Sequence, residues 1–185
     1  AVLALCRSVL ALEELAAELA ERPHPRFGPA TLSVGRIGGG TATNIVPDDA
    51  WLLLDRRCLP GENETTVRAE LEGLLAKQAL DGVRVEWCSL EKAALATPDE
   101  DPSVRSVQAA LRLAALDATP GSVAFGTDAG VFGAHGIPGV VFGPGSVEQA
   151  HTSAEWVAID QVEAASAVFE RILASCPMQA LVEDK

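Results

Sequence analysis

The run Gly143-Pro144-Gly145-Ser146-Val147-Glu148-Gln149-Ala150-His151-Thr152 sets a histidine behind a glycine-rich turn, shortly after the β-like stretch Gly139–Phe142. An imidazole at the end of a strand can serve as a metal ligand or a proton carrier, and α/β enzymes place such groups at strand ends. The chain has no HxD, HxxxH or CxxC pattern and no second histidine within ligand spacing of His151. A zinc site takes roughly three or four ligands, so His151 reads as one member of a set whose other members are absent from this sequence. By spacing alone, a solitary histidine is more often an ordinary polar residue than a ligand. The other two are less suggestive. His24 lies between prolines and His135 in a glycine-rich turn, and both read as structural or solvent-facing.

The 185 residues suffice for one domain or two small ones, and a hydrophobic content of 48% is ordinary for a globular chain. No apolar run reaches the ~18 residues of a membrane span. The opening stretch carries Glu13, Glu14, Glu18 and Glu21, unlike the basic start and small-residue cleavage site of a secretory leader. A cytoplasmic location is therefore expected. The formal net charge of −12 argues against a nucleic-acid partner, which would need clustered lysine and arginine. Cys6, Cys58, Cys88 and Cys176 are widely spaced; three sit among apolar neighbours, which predicts buried thiols and no disulfide.

The positioning elements follow from periodicity. Leu5, Val9, Leu12 and Leu19 fall close to one stripe of a helix that opens directly at Ala1 with no capping residue before it. Thr31–Ile37 and Ala50–Arg57 read as strands around the Gly38-Gly39-Gly40 turn. Val67, Leu71, Leu74 and Leu75 mark a second helix after Pro60-Gly61, and Val83, Val85 and Trp87 alternate as a third strand. The order α-β-β-α-β becomes the ferredoxin-like βαββαβ sandwich when one strand is added in front, so the first domain is expected to lack its first strand. Turn residues from Thr97 to Pro102 suggest a boundary. Asp101-Pro102 then starts a helix with Val104, Val107 and Leu111 on its apolar side. Short strands are expected at Ser122–Phe125 and Gly139–Phe142. A last helix is expected to be capped by Asp160 with Glu163 and to bury Val162, Ala165, Phe169 and Leu173. The class is α/β (α+β), and an unpaired strand edge predicts self-association.

Three segments in this order resemble the dizinc amidohydrolase and metallopeptidase family of acetylornithine deacetylase, succinyl-diaminopimelate desuccinylase and the glutamate carboxypeptidases. They are Gly38-Gly39-Gly40-Thr41-Ala42-Thr43-Asn44-Ile45-Val46-Pro47-Asp48, then Leu54-Asp55-Arg56-Arg57-Cys58-Leu59-Pro60-Gly61, and Gly126-Thr127-Asp128-Ala129 running through Phe142–Gly145 to Ala150-His151-Thr152. The resemblance implies that residues 1–95 are an incomplete lid and dimerisation domain, and 96–185 the C-terminal portion of the catalytic domain. It implies zinc (or cobalt), two ions per complete site, with His151 as one ligand and the remaining ligands and a glutamate base upstream. It makes Asn44 a donor to substrate in the partner subunit's site, where the bland reading is a turn residue. Arg57 would grip a substrate carboxylate through its planar fork, against a surface ion pair with Asp55 or Glu62. Thr127 lies beside the site or simply caps a helix. Gly143 and Gly145, with Ser146, form the turn that exposes substrate-binding N–H groups. Glu155 reads as solvated or structural. The usual Pro-Asp after His-Thr is replaced by Ser153-Ala154.

Implied chemistry is hydrolysis of an amide bond in an N-acyl amino acid or small peptide, with zinc-bound water activated by the glutamate. The partners are then that small substrate and a second copy of the chain, with neither nucleic acid nor membrane. No catalytic residue is expected within this chain, which should be inactive alone. The alternatives are a non-catalytic dimerisation module derived from the family, and a regulatory binder that uses Arg57 to hold a carboxylate.

Overall fold

The computed structural model describes residues 1–175; Cys176 lies outside them. The chain forms two compact units, one of Ala1–Ala94 with Ser122–Gly126, the other of Leu95–Gly121 with Thr127 onward. The first holds α1 (Val2–Ala20), β1 (Thr31–Gly39), β2 (Ala50–Arg57) and α2 (Glu64–Lys77), and the second α3 (Pro102–Leu113), α4 (Asp128–Ala134) and α5 (Ile159–Ser175). Among the described residues no helix is long and apolar enough to cross a membrane.

In the first unit, β1 and β2 pair antiparallel and one face of the ribbon is covered by the helices. Leu12, Leu15 and Leu19 of α1, Ala30 and Leu32, and Val67 and Leu71 of α2 make one buried cluster, with Val34, Leu52, Leu54 and Cys58 at its margin. Burying such side chains contributes roughly 1.5–3 kcal/mol each, which is what keeps a two-stranded ribbon ordered. The strand alternation works out residue by residue on β2: Leu52, Leu54 and Arg56 turn toward the helices, while Trp51, Leu53, Asp55 and Arg57 face outward. On β1 the same alternation would drive Arg36 inward. A bulge between Val34 and Arg36 leaves Gly35 unpaired, so that Arg36 pairs with the outward Leu53 instead. There its guanidinium lies 5.5 Å from the ring of Trp51. The ring also covers Gly38, where an added Cβ would sit 2.7 Å from a ring carbon. Only glycine fits at that pair.

The expected third strand at Val83–Trp87 does not form, nor do strands at Ser122–Phe125 and Gly139–Phe142. The apolar alternation matches burial only in part: Val85 packs on the cluster and Val83 is half-buried, but Trp87 is exposed. The hydrogen bonds come from elsewhere: Arg68 Nη1 donates to the Val85 carbonyl at 2.9 Å, and Thr97 serves Gly139. Periodicity reports which side is buried and is silent on which group supplies the bond.

Helix ends account for further differences. Asn63 and Thr66 form a reciprocal capping box at α2, each side chain meeting the other's backbone N–H. Asp101 caps α3 as the sequence predicts, its carboxylate accepting from Ser103 N–H at 2.8 Å. Asp160 does not cap α5, because the helix already starts at Ile159 and the carboxylate accepts from Gln161 N–H. The buried residues of α5 are Ala165 and Val168; Val162, Phe169 and Leu173 are largely exposed, a rotation of the stripe away from the expected one. The expected burial of thiols also fails: Cys6 is exposed, and Cys58 and Cys88 are half-buried at the edge of the cluster.

Three helices end alike. After α4, Gly136 at φ +78° donates to Gly133 O and Ile137 N–H reaches back to Phe132 O, the paired bonds of a Schellman cap. After α2 and α3 the same bonds close around Ala79 (φ +49°) and Ala115 (φ +56°), where glycine would be the unstrained choice. Relief of left-handed strain exceeds the added entropy of the unfolded chain, so Ala79→Gly and Ala115→Gly should each stabilise by about 0.5–1 kcal/mol in urea titrations. Gly136→Ala should cost a similar amount.

Candidate functional site

The glycine-rich stretch of the second unit runs from Gly139 to His151 and has no ladder to hold it. Gly143 is exposed. Gly145 has φ +98° and donates its N–H to Gln161 Oε1 of α5 at 2.9 Å. Turns link Ser146 to Gln149, Val147 to Ala150 and Gln149 to Thr152, and bring the chain to His151 in the left-handed region at φ +62°. That conformation is uncommon for a residue with a Cβ, though histidine tolerates it better than most. The backbone N–H of His151 donates to Glu155 Oε2 at 3.2 Å, and the side chain is exposed. Glu155 is therefore a backbone partner of His151.

Thr127 stands at the N-cap position of α4, but its side chain makes no capping hydrogen bond. Its hydroxyl is not spent on the helix that follows. The two remaining histidines have local roles. His24 Nδ1 accepts from the backbone N–H groups of Arg26 and Phe27, and His135 Nδ1 lies 2.9 Å from Val131 O at the end of α4.

In the first unit Asn44 lies exposed in the connection between β1 and β2, where Ile45 N–H closes a turn on Ala42 O. Arg57 ends β2 on the outward face, and its Nε meets Asp55 Oδ1 at 2.8 Å with both side chains more than half exposed. An exposed pair of this kind contributes little to stability, so the guanidinium remains available for a ligand. Asn44 and Arg57 thus lie at opposite ends of β2.

The arginine that sequence reasoning passed over is its neighbour. Arg56 is turned inward by the strand, with a side-chain exposure of 4%. It holds Glu62 through both Nη atoms, at 2.7 and 3.1 Å, and Glu70 through Nε at 3.3 Å. Nη1 also donates to the carbonyl of Arg57 at 2.6 Å, and Glu62 accepts from Leu59 N–H at 2.6 Å. Arg56 thereby fixes the backbone of Arg57 and the Leu59–Glu62 turn. Burial alone would raise the Glu62 carboxyl, but the Arg56 fork and the Leu59 N–H overcome it and hold the group below its ordinary value. Burial acts to lower Arg56, and its two carboxylates more than reverse this. Burial pushes the Cys58 thiol up. The alternation of β2 was the signal that could have distinguished the two arginines.

Among the described residues no cluster of three or more histidine, cysteine, aspartate or glutamate side chains could hold a metal ion. His151 offers one donor, short of the set that zinc requires, and no reaction step can be built on a metal from these residues alone.

Residues 9–175 match the model of peptidase family M20/M25/M40. An acetylornithine deacetylase from Myxococcus xanthus is 32% identical over 167 residues, covering 89% of this chain and 42% of the relative. An N-acetyl-L-citrulline deacetylase from Xanthomonas campestris is 32% identical over 145 residues, covering 76% and 38%. A tripeptidase crystal structure from Staphylococcus aureus superposes with a TM-score of 0.65 at 23% identity, covering 86% of this chain and 43% of that one. The chain belongs to the M20/M25/M40 peptidase family, as the motif resemblance implies, and has an α/β class fold similar to its members. It spans about two-fifths of the length of the relatives it matches.

The Arg56 cluster generates two outcomes. Arg56→Met should destabilise the chain by about 1–3 kcal/mol, since charged hydrogen bonds are lost and two carboxylates are left without their partner. Because Glu62 is depressed on folding, its contribution is complete above the ordinary carboxylate range and disappears as pH falls through the lowered folded value. Glu62→Gln should therefore melt below the parent at neutral pH, with the gap closing on acidification.

Proposed function

We propose that this chain is the lid and C-terminal catalytic portion of a zinc-dependent amide hydrolase acting on an N-acyl amino acid or small peptide. Family membership across residues 9–175 carries the reading, and the deacetylase names of its relatives support the bond class. Residues 1–95 form the lid and homodimer surface, and 96–185 close the catalytic domain. His151 would be this chain's one ligand to zinc in the complete enzyme, where the metal would supply Lewis-acid chemistry for amide hydrolysis.

This chain's own residues bind and orient. Arg57, exposed and paired only with a solvated aspartate, takes the substrate carboxylate in a two-bonded fork. Asn44 donates to substrate from an exposed turn, and Thr127 offers a hydroxyl that its helix does not use. Gly143 and Gly145 line the substrate turn, with the Gly145 N–H held by Gln161. His151 contributes one imidazole to the metal, and its left-handed backbone supports that role, since strain of this sort persists where surrounding bonds enforce it. The three described cysteines are unpaired thiols, in keeping with a cytoplasmic setting.

The isolated chain supplied with zinc or cobalt should show no turnover of N-acetyl amino acids. Robust hydrolysis abolished by His151→Ala would overturn the division of labour proposed here. Arg57→Lys should weaken binding of N-acyl amino acids to the chain about tenfold, the share of one charged hydrogen bond, measured by calorimetry.

A further inference from the structure

We propose that Thr97 and Gln161 are positioning residues for His151, acting with Glu155 by pinning the Gly139–His151 backbone where no strand ladder supports it. The importance of His151 rests on the function proposed above; the pinning does not. Each pin is a side chain from outside the loop meeting a main-chain group inside it, and all lie within the second unit.

Thr97 acts as a neighbouring strand would. Its hydroxyl donates to Gly139 O at 2.6 Å and accepts from Gly139 N–H at 3.2 Å, satisfying both polar groups of the residue where the loop begins. A hydroxyl can do both at once; a methyl in its place can do neither. Gln161 takes the N–H of Gly145 further along the loop, at 2.9 Å. The φ of +98° at Gly145 favours glycine there. From Gly145 onward the chain has little slack. Overlapping turns close Gln149 on Ser146, Ala150 on Val147 and Thr152 on Gln149, and Glu155 holds the His151 N–H.

Displacement of Gly145 is expected to reach the imidazole through these turns. Glu155 acts directly on the residue it positions, whereas Thr97 and Gln161 act at a distance along the loop. Their separation in sequence from the groups they hold, 42 and 16 residues, is why no local motif announces them.

The test is the amide spectrum of the ¹⁵N-labelled 185-residue chain, free of metal and substrate, in Thr97→Val, Thr97→Ser and Gln161→Leu variants. The expected result is that Thr97→Val and Gln161→Leu each move the His151 amide resonance as well as the Gly139 or Gly145 resonance they touch. Gly139 hydrogen exchange should accelerate about tenfold in Thr97→Val, as for loss of a hydrogen-bond pair from a local opening unit. Thr97→Ser, which keeps the hydroxyl, should restore the parent spectrum at His151. Gln161 bonds at the surface, so its leucine variant keeps the fold even where the valine variant at Thr97 does not. A His151 resonance unmoved by Gln161→Leu, with Gly145 shifted, would overturn the proposal by showing that the pins act only locally. Full activity of the complete enzyme carrying His151→Ala would instead sink the ligand role and leave the pinning intact.

Discussion

A main-chain N–H or C=O withdrawn from water must find a partner, and outside the helices the described residues offer one short ladder for this. Side chains supply what further strands would. Arg68 reaches the Val85 carbonyl, Arg56 that of Arg57, Thr97 both groups of Gly139, and Gln161 the N–H of Gly145. Each of these side chains lies far from its partner in sequence, except Arg56, which is adjacent to it. Order in the functional segments thus depends on polar side chains whose replacement would alter backbone geometry, as well as on the apolar cluster beneath the ribbon.

The first unit was legible where hydrophobic period and strand length coincide. Ala50–Arg57 is the strand its Trp51–Leu54 run predicts, and the first two helices bury the side that their leucines mark. Reading failed where the deciding group is remote. Val85 keeps its buried side yet has no strand partner, and Gly139–Phe142 is tied by a threonine 42 residues away. Asp160 with Glu163 has the spacing of a capping box, but the helix begins one residue too early for it. The rotated stripe of α5 has the same origin: several registers of Val, Ala, Phe and Leu are available, and packing against α3 selects Ala165 and Val168.

For the candidate site, the structure gives each motif residue a local setting and supports that the motif does not reveal. His151 follows its glycine turn, Arg57 projects outward at a strand end, and Thr127 begins a helix without capping it. Motif resemblance singled out Arg57 and gave Arg56 no role. The alternation of β2 separates them, one nearly buried in a carboxylate fork and the other in solvent. Family membership accounts for why such residues recur in this order; the hydrogen bonds account for how they are held.

The unpaired Gly35 in β1 links the two faces of the ribbon to chain length. With that residue present, Leu32 and Val34 point into the cluster while Arg36 stands over Trp51 on the far side. Were Gly35 instead drawn into the ladder opposite Leu53, inside and outside would exchange for everything up to the hairpin tip, forcing a cation toward leucines and Trp51 out of its seat on Gly38. The hairpin can accordingly lengthen or shorten at its tip, near Asn44, with the interior undisturbed, whereas at Gly35 the faces hold because that residue stays out of the ladder.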